Sequence, residues 1–136
     1  MTVDPMKVQL AKFGAEDDLA REDYLLEEKL DGTRCVAIKH DGHVHLMSRS
    51  WKNDFAPAYP QIVAEIQKLP GDQFVLDGEL VFYNRQTGKP EFLTAEATLQ
   101  SRAAYRERLM VFDILEYGGL DLRPNTLATR QNNLAL

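Results

Sequence analysis

The chain has 136 residues, 44% of them hydrophobic and 27% charged, with a formal net charge of −5 and a single cysteine. That is one domain at most, with material for one core and the balance of a soluble globular protein. No apolar run approaches the roughly 20 residues that cross a membrane, Met-Thr-Val-Asp-Pro is no signal-peptide start, and the lone Cys35 excludes an internal disulfide and suits a reducing cytoplasm. The acidic total argues against a chain that grips a polyanion unaided, without excluding a local basic patch.

In chain order, residues 1–14 read as an irregular entry and Ala15–Arg21 as a short helical turn opened by the solvated acids Glu16, Asp17 and Asp18. Tyr24–Leu30 reads as a strand entering an Asp31-Gly32 turn. Cys35–His40 and His43–Ser48 alternate apolar and polar residues around Asp41-Gly42, a strong hairpin signal. Ile62, Val63, Ile66 and Leu69 recur at helical spacing behind Pro60, which suits a first helical position, and Pro70-Gly71 ends that helix. Gln73–Asp77 and Glu79–Tyr83 read as strand, Asn84–Pro90 as a polar turn and Ala95–Arg106 as helix. Leu109–Glu116 is an apolar strand turned by Tyr117-Gly118-Gly119, and Asn125 is placed to cap a last helix over Thr126–Leu134. Hairpin connections outnumber helical crossovers, so the class is α+β with a mainly antiparallel sheet.

Four short motifs carry chemistry. The first is Glu27-Glu28-Lys29-Leu30-Asp31-Gly32-Thr33-Arg34. A free lysine has a pKa near 10.4, so only about one in two thousand is neutral at pH 7. A nucleophilic lysine needs desolvation or nearby positive charge. If Tyr24–Leu30 is a strand, Glu27 and Lys29 share a face. The second motif is Ser48-Arg49-Ser50, whose arginine offers a planar fork for phosphate oxygens. The third is Leu76-Asp77-Gly78-Glu79-Leu80, whose carboxylate suits a hard divalent cation. The fourth is Val111-Phe112-Asp113-Ile114-Leu115, with an aromatic face on which a base can stack.

In this order, the motifs resemble those of the covalent nucleotidyltransferases, the superfamily of ATP-dependent DNA ligases, RNA ligases and mRNA capping enzymes. Lys29 to Arg34 matches its Lys-x-Asp-Gly-x-Arg signature, and Gly119-Leu120-Asp121-Leu122 and Leu127-Ala128-Thr129-Arg130 echo later stretches. The Glu-x-Lys context and Arg34 resemble ATP-dependent DNA ligases rather than GTP- or NAD-dependent relatives. After Arg49 the family often has a glycine; here Trp51-Lys52-Asn53-Asp54 follows, with one extra residue.

The resemblance implies an antiparallel-sheet-rich, ATP-grasp-like adenylation domain. Lys29 would be the catalytic nucleophile that accepts AMP from ATP, and Glu27 the adenine reader. Leu30 would lie in the nucleotide site, Arg34 and Arg49 would contact ribose and phosphates, and Phe112 would stack on the base. Glu79 would bind ribose or the metal, Mg2+ or Mn2+. Intact enzymes of this type act on nicked double-stranded DNA, which suggests replication, repair or recombination as the setting. An RNA ligase or capping-type transferase, a noncatalytic nucleotide-binding or interaction module, and one half of a split enzyme remain alternatives.

The family's later Glu-Gly-x-x-x-Lys and Lys-x-x-Lys segments have no counterpart, and Pro124–Leu136 contains no lysine. The expectation is therefore a partial adenylation domain over 1–136, incomplete on its C-terminal side and without an oligonucleotide-binding-fold domain. It would self-adenylate weakly or not at all, since charge neutralisation drives much of phosphoryl-type catalysis. Remaining ligase domains or a complementing chain would finish it, and an open sheet edge would favour self-association. His40, His43 and His45 read as an exposed hairpin rather than a metal site, and Cys35 as a buried structural thiol.

Overall fold

A computed structural model describes residues 8–10, 12, 14–93 and 101–135. Its frame is a six-stranded antiparallel sheet made of β1 (Thr33–His40), β2 (His43–Ser48), β3 (Phe74–Asn84), β4 (Pro90–Glu91), β5 (Tyr105–Tyr117) and β6 (Leu120–Asp121). The strand order is β2-β1-β3-β5-β6, and β4 pairs with the far end of β3. Among the described residues, two α-helices, α1 (Pro60–Lys68) and α2 (Leu127–Leu134), accompany it. None of the described helices is long and apolar enough to cross a membrane.

Alternation along β1 and β3 divides the sheet into two faces. Cys35 and Ala37 of β1, with Phe74, Leu76, Leu80 and Phe82 of β3, face α1, whose Ile62 and Ile66 pack into the main core with Leu46, Phe55 and Tyr59. Full burial of side chains such as Tyr59, Phe82 and Leu46 contributes about 1.5–3 kcal/mol each, so this face holds most of the stability. Val36, Ile38, Val75 and Leu115 form a smaller cluster on the other face, against Met47 and Trp51. Lys39 stands on the α1 side, where among the described residues it has no anionic partner. Its Nζ donates to the carbonyls of Gln67 and Leu69 at 3.0 and 3.1 Å, so the lysine closes the C-terminal end of α1.

Three Asp-Gly pairs do three different jobs. Asp41 and Gly42, at φ of 49° and 76°, make the tight β1–β2 hairpin turn in open space. Asp77-Gly78 is no turn: β3 runs straight through it, joining the two expected strands into one of 11 residues. A Cβ on Gly78 would stand 2.7 Å from the Met110 carbonyl oxygen of β5. Asp31-Gly32 is a bend into β1 in which a Cβ on Gly32 would meet the Leu80 carbonyl oxygen at 2.2 Å. At the last two positions glycine is required for close backbone approach rather than for positive φ.

Other expectations give way as well. Tyr24–Leu30 is an exposed segment without a ladder, because the doublets Leu25-Leu26 and Glu27-Glu28 break the alternation a half-buried strand needs. Of the expected helix Ala95–Arg106, residues 95–100 lie outside the described residues. Arg102–Ala104 is a single 3-10 turn, and Tyr105 and Arg106 already belong to β5, opposite Asn84 and Tyr83. Thr126 rather than Asn125 caps α2, its Oγ1 accepting from the Thr129 N–H at 3.3 Å.

Helix α2 is pinned to β5 by a buried ion pair. Arg130 Nε and Nη2 donate to the two carboxylate oxygens of Asp113 at 2.7 and 3.0 Å, and Nη1 donates to the Asn125 carbonyl at 2.6 Å. Both residues are buried, so truncating one partner strands a charge, at a cost of about 3–5 kcal/mol. Arg130→Ala is therefore expected to lower the urea midpoint sharply; an unchanged midpoint would show that α2 is not anchored in this way. Cys35, fully buried under the sheet, has its thiol pushed up to about 12 by burial first and by the surrounding carboxylates second. In the native protein at pH 8 it should resist a thiol reagent that labels it at once in denaturant, and rapid native labelling would contradict the packing.

Candidate functional site

Opposite α1, the sheet opens into a cleft of about 830 Å³. Its walls come from three places that are far apart in sequence. The segment 27–32 supplies Glu27, Lys29, Leu30 and Gly32, the paired strands β1 and β3 supply Arg34 and Glu79, and β5 with α2 supplies Met110, Phe112 and Gln131. Cross-strand register explains the convergence. Arg34 pairs with Glu79, and Glu79 with Met110, so these three side chains share one face of neighbouring strands.

Phe112 arrives there through an irregularity. The β3–β5 register slips twice, between Val75 and Leu76 and between Asp77 and Gly78, and leaves Leu115 and Phe112 as extra residues on β5. Such bulges re-aim a side chain next to a site. The Arg34 guanidinium carbon lies 5.3 Å from the centroid of the Phe112 ring, within cation–π range.

Arg34 is held by a residue to which the sequence reading assigned no role. Its Nε donates to Asp77 Oδ1 at 2.6 Å and its Nη2 to Asp77 Oδ2, while Nη2 also donates to the Gln9 carbonyl at 3.0 Å. Asp77 is 1% exposed. Burial pushes its carboxyl up from the ordinary range, against the Arg34 guanidinium that pulls it down, and the nearby charge of Asp113 adds to the upward push. The same pairing holds Arg34 above its usual value despite its own burial. Glu79 is likewise raised, by burial first, with Arg34 and the Gly32 N–H opposing.

Lys29 stands in solvent, its side chain 90% exposed, with Nζ 3.0 Å from Asp31 Oδ1. Glu27 is tied down across 104 residues of sequence: Gln131 Nε2 of α2 donates to Glu27 Oε1, and also to the Phe112 carbonyl at 3.2 Å. Gln131 thus joins the adenine-reader and base-stacking candidates in one network. No sequence signal marked it beyond its place after the Leu127–Arg130 echo.

Arg49 does not line this cleft. It lines an adjoining cavity of about 500 Å³ together with Ser48, Ser50 and Asn53, and the two cavities share Gly32, Arg34 and Glu79. In the loop behind it Trp51 takes a φ of 62°, a left-handed conformation that favours glycine. His45 Nδ1 lies 2.8 Å from Asp54 Oδ2, and among the described residues no three His, Cys, Asp or Glu side chains cluster to hold a metal by themselves.

The chain matches the family model described as "ATP dependent DNA ligase domain" over residues 5–135. It is 34% identical over 141 residues to a probable DNA ligase of Anaeromyxobacter sp. (strain Fw109-5), a match that takes in 98% of this chain and 27% of that protein. It is 30% identical over 114 residues to the multifunctional non-homologous end joining protein LigD of Pseudomonas aeruginosa, covering 84% of this chain and 13% of that one. Among solved structures it resembles a mycobacterial DNA ligase D complexed with ATP and MES, with a TM-score of 0.64 and 32% identity over 80% of this chain and 35% of the other. The ligase domain of M. tuberculosis LigD matches at a TM-score of 0.63 with the same identity and coverage. The chain thus spans about a quarter or less of these two curated relatives and about a third of these two solved chains. A family match over nearly the whole chain, with ligase domains as structural neighbours, places it in the ATP-dependent DNA ligase domain family.

Proposed function

We propose that the cleft is the front part of a nucleotidyltransferase adenylation site, in which Lys29 takes AMP from ATP for transfer to a nicked DNA. One observation carries this reading. A single cleft gathers Glu27, Lys29, Leu30, Arg34, Glu79 and Phe112, residues of three motifs that lie up to 85 positions apart between Glu27 and Phe112. Arg49 faces an adjoining cavity through shared walls, where a phosphate-binding arginine would meet the rest of a bound triphosphate or the acceptor's 5′-phosphate.

In the first step the Lys29 Nζ lone pair attacks the α-phosphorus. The N–P bond forms, the bond to the bridging oxygen breaks, and pyrophosphate leaves with that electron pair. Nζ must first give up its proton, and Asp31 Oδ1, already in contact, is the nearest acceptor. Because Lys29 is in water in the free protein, desolvation comes with the nucleotide itself as it fills the cleft. Phe112 and the Arg34 guanidinium above it offer a flat surface to the base, and the Gln131 bond keeps Glu27 in place to accept from an exocyclic amino group.

In the second step a DNA 5′-phosphate oxygen attacks the same phosphorus, the N–P bond breaks, and Lys29 regains its proton. A 3′-hydroxyl then displaces AMP and seals the nick.

Divalent metal fits the donors present. Of the carboxylates that line the cleft, Glu27 is held by Gln131 and Asp31 by Lys29, while Glu79, set on β3 beside Arg34, is the one the third motif offers to a metal. With the nucleotide's own phosphate oxygens it matches the usual one or two carboxylates around Mg2+. A bound Mg2+ or Mn2+ would neutralise phosphate charge there.

Further domains or a complementing chain would supply the remaining cationic groups. In support, β6 pairs only with Glu116 and Tyr117, so among the described residues the outer edge of β5 from Tyr105 to Ile114 carries no strand. A second copy of the chain is another candidate for that edge.

Incubation with radiolabelled ATP and Mg2+ is expected to leave a slow, substoichiometric, acid-labile label on Lys29 that Lys29→Ala abolishes. Label that persists in Lys29→Ala, or maps elsewhere, would remove Lys29 from this role. Gln131→Ala should leave Lys29 reactive but weaken the preference for ATP over GTP by roughly tenfold, on the order of one lost hydrogen bond to a charged group. An unchanged nucleotide preference would sink the positioning of Glu27.

A further inference from the structure

Away from the cleft, Arg85, Arg106 and Arg108 surround a cavity of about 410 Å³ completed by Tyr83, Asn84 and Gly88. Among the described residues no carboxylate lines it, and none of the three arginines has an acidic partner within ion-pair distance. On a chain with a net charge of −5, three guanidinium groups converging without an acid differ from the mixed signs of an ordinary solvated face.

The side chains are also organised. The Arg108 guanidinium carbon lies 5.6 Å from the Tyr83 ring centroid, and Arg85 Nε donates to the Tyr105 carbonyl at 3.2 Å. Of the acids close by in sequence or pairing, Glu107 stands between Arg106 and Arg108 but opposite Phe82, on the other face of β5, and Glu91 of β4 is engaged by Asn84 Nδ2 at 3.0 Å and by the Tyr105 hydroxyl at 2.9 Å. Partly tethered arginines lose less freedom on meeting a ligand and keep their remaining N–H groups for it.

Register connects this cavity to the cleft. Glu79 pairs with Met110, Val81 with Arg108 and Tyr83 with Arg106, so Met110, Arg108 and Arg106 follow one another along the same face of β5. Two strand residues advance about 6.7 Å, close to two axial steps of about 3.4 Å along one strand of a duplex.

We infer that the Arg85–Arg106–Arg108 cavity is a docking site for the phosphate backbone of duplex nucleic acid, which leaves the cleft along β5. Recognition of phosphate follows from the arginines alone; the choice of a nicked duplex as the polyanion rests on the ligase reading. The contact proposed is with the backbone, which positions the duplex and carries no sequence preference.

The test is fluorescence anisotropy of the full chain with a labelled nicked duplex over a series of KCl concentrations, with Lys29 labelling by ATP followed on the same preparations. The wild type should bind with a salt slope that drops by about 0.9 for each phosphate-contacting arginine removed. Arg106→Ala/Arg108→Ala should weaken low-salt binding by about tenfold or more, while Arg106→Lys/Arg108→Lys keeps most of the slope because point charge suffices for counterion release. If the alanine variant fails to fold, Arg85→Ala and the lysine variant give the same comparison.

Absence of binding by the wild type, a slope unchanged by the substitutions, or polyglutamate held as tightly as the duplex would overturn the proposal. The two readings fail separately. Lys29 labelling with arginine-independent DNA binding rejects the docking site alone, whereas label that persists in Lys29→Ala beside arginine-dependent binding rejects the Lys29 reading and leaves the site standing.

Discussion

The two-pronged contact between Arg34 of β1 and Asp77 of β3 organises this molecule. Asp77 is almost completely buried, and a carboxylate taken from water costs several kcal/mol unless a well-placed cation answers it. Arg34 answers it with both prongs, and in doing so fixes its own guanidinium beside the Phe112 ring and next to Glu79. The pair therefore ties two strands together and also sets the geometry of the cleft floor. Hydrophobic burial, concentrated on the opposite face around Tyr59, Leu80 and Phe82, supplies the stability that tolerates such buried charge.

A second buried pair, Arg130 with Asp113, does the corresponding job at the far wall. It holds α2 on β5, and α2 brings Gln131 to Glu27 and to the Phe112 carbonyl. Asp77 and Asp113 are themselves opposite one another across β3 and β5. Two like charges face each other only because each has its own arginine, one from the strand before and one from the helix after. The cleft is thus braced from both sides, while Lys29 is left on an irregular, exposed segment at its mouth.

Much of the frame was legible from the residues. The hairpin at Asp41-Gly42, helix α1 behind Pro60, and the long apolar strand ending at Tyr117 follow from periodicity and turn chemistry. Errors clustered where a local pattern has two physical causes. Asp31-Gly32 and Asp77-Gly78 look like turns, yet their glycines are there because a neighbouring carbonyl comes too close for a Cβ. Tyr24–Leu30 has strand-forming residues but no partner strand, and a strand exists only through its ladder. Residues Tyr105 and Arg106 are drawn into β5 by pairing with Asn84 and Tyr83, a long-range contact that no local propensity encodes.

By itself the sequence determined the identity and order of the chemical groups: a lysine beside an Asp-Gly pair, an arginine beyond it, a glutamate after a second Asp-Gly, and a phenylalanine before an aspartate. Residue type and spacing along one chain suffice for that. Only the tertiary structure decided which of them meet. Strand register set Arg34 against Glu79, a β-bulge supplied Phe112, and a helix pinned by a buried ion pair delivered Gln131. It also sent Arg49 to a neighbouring cavity and drew Arg106 and Arg108 into line along β5. Convergence of this kind depends on hydrogen-bond ladders and desolvated charges between distant segments, and those energies exist only once the chain has folded.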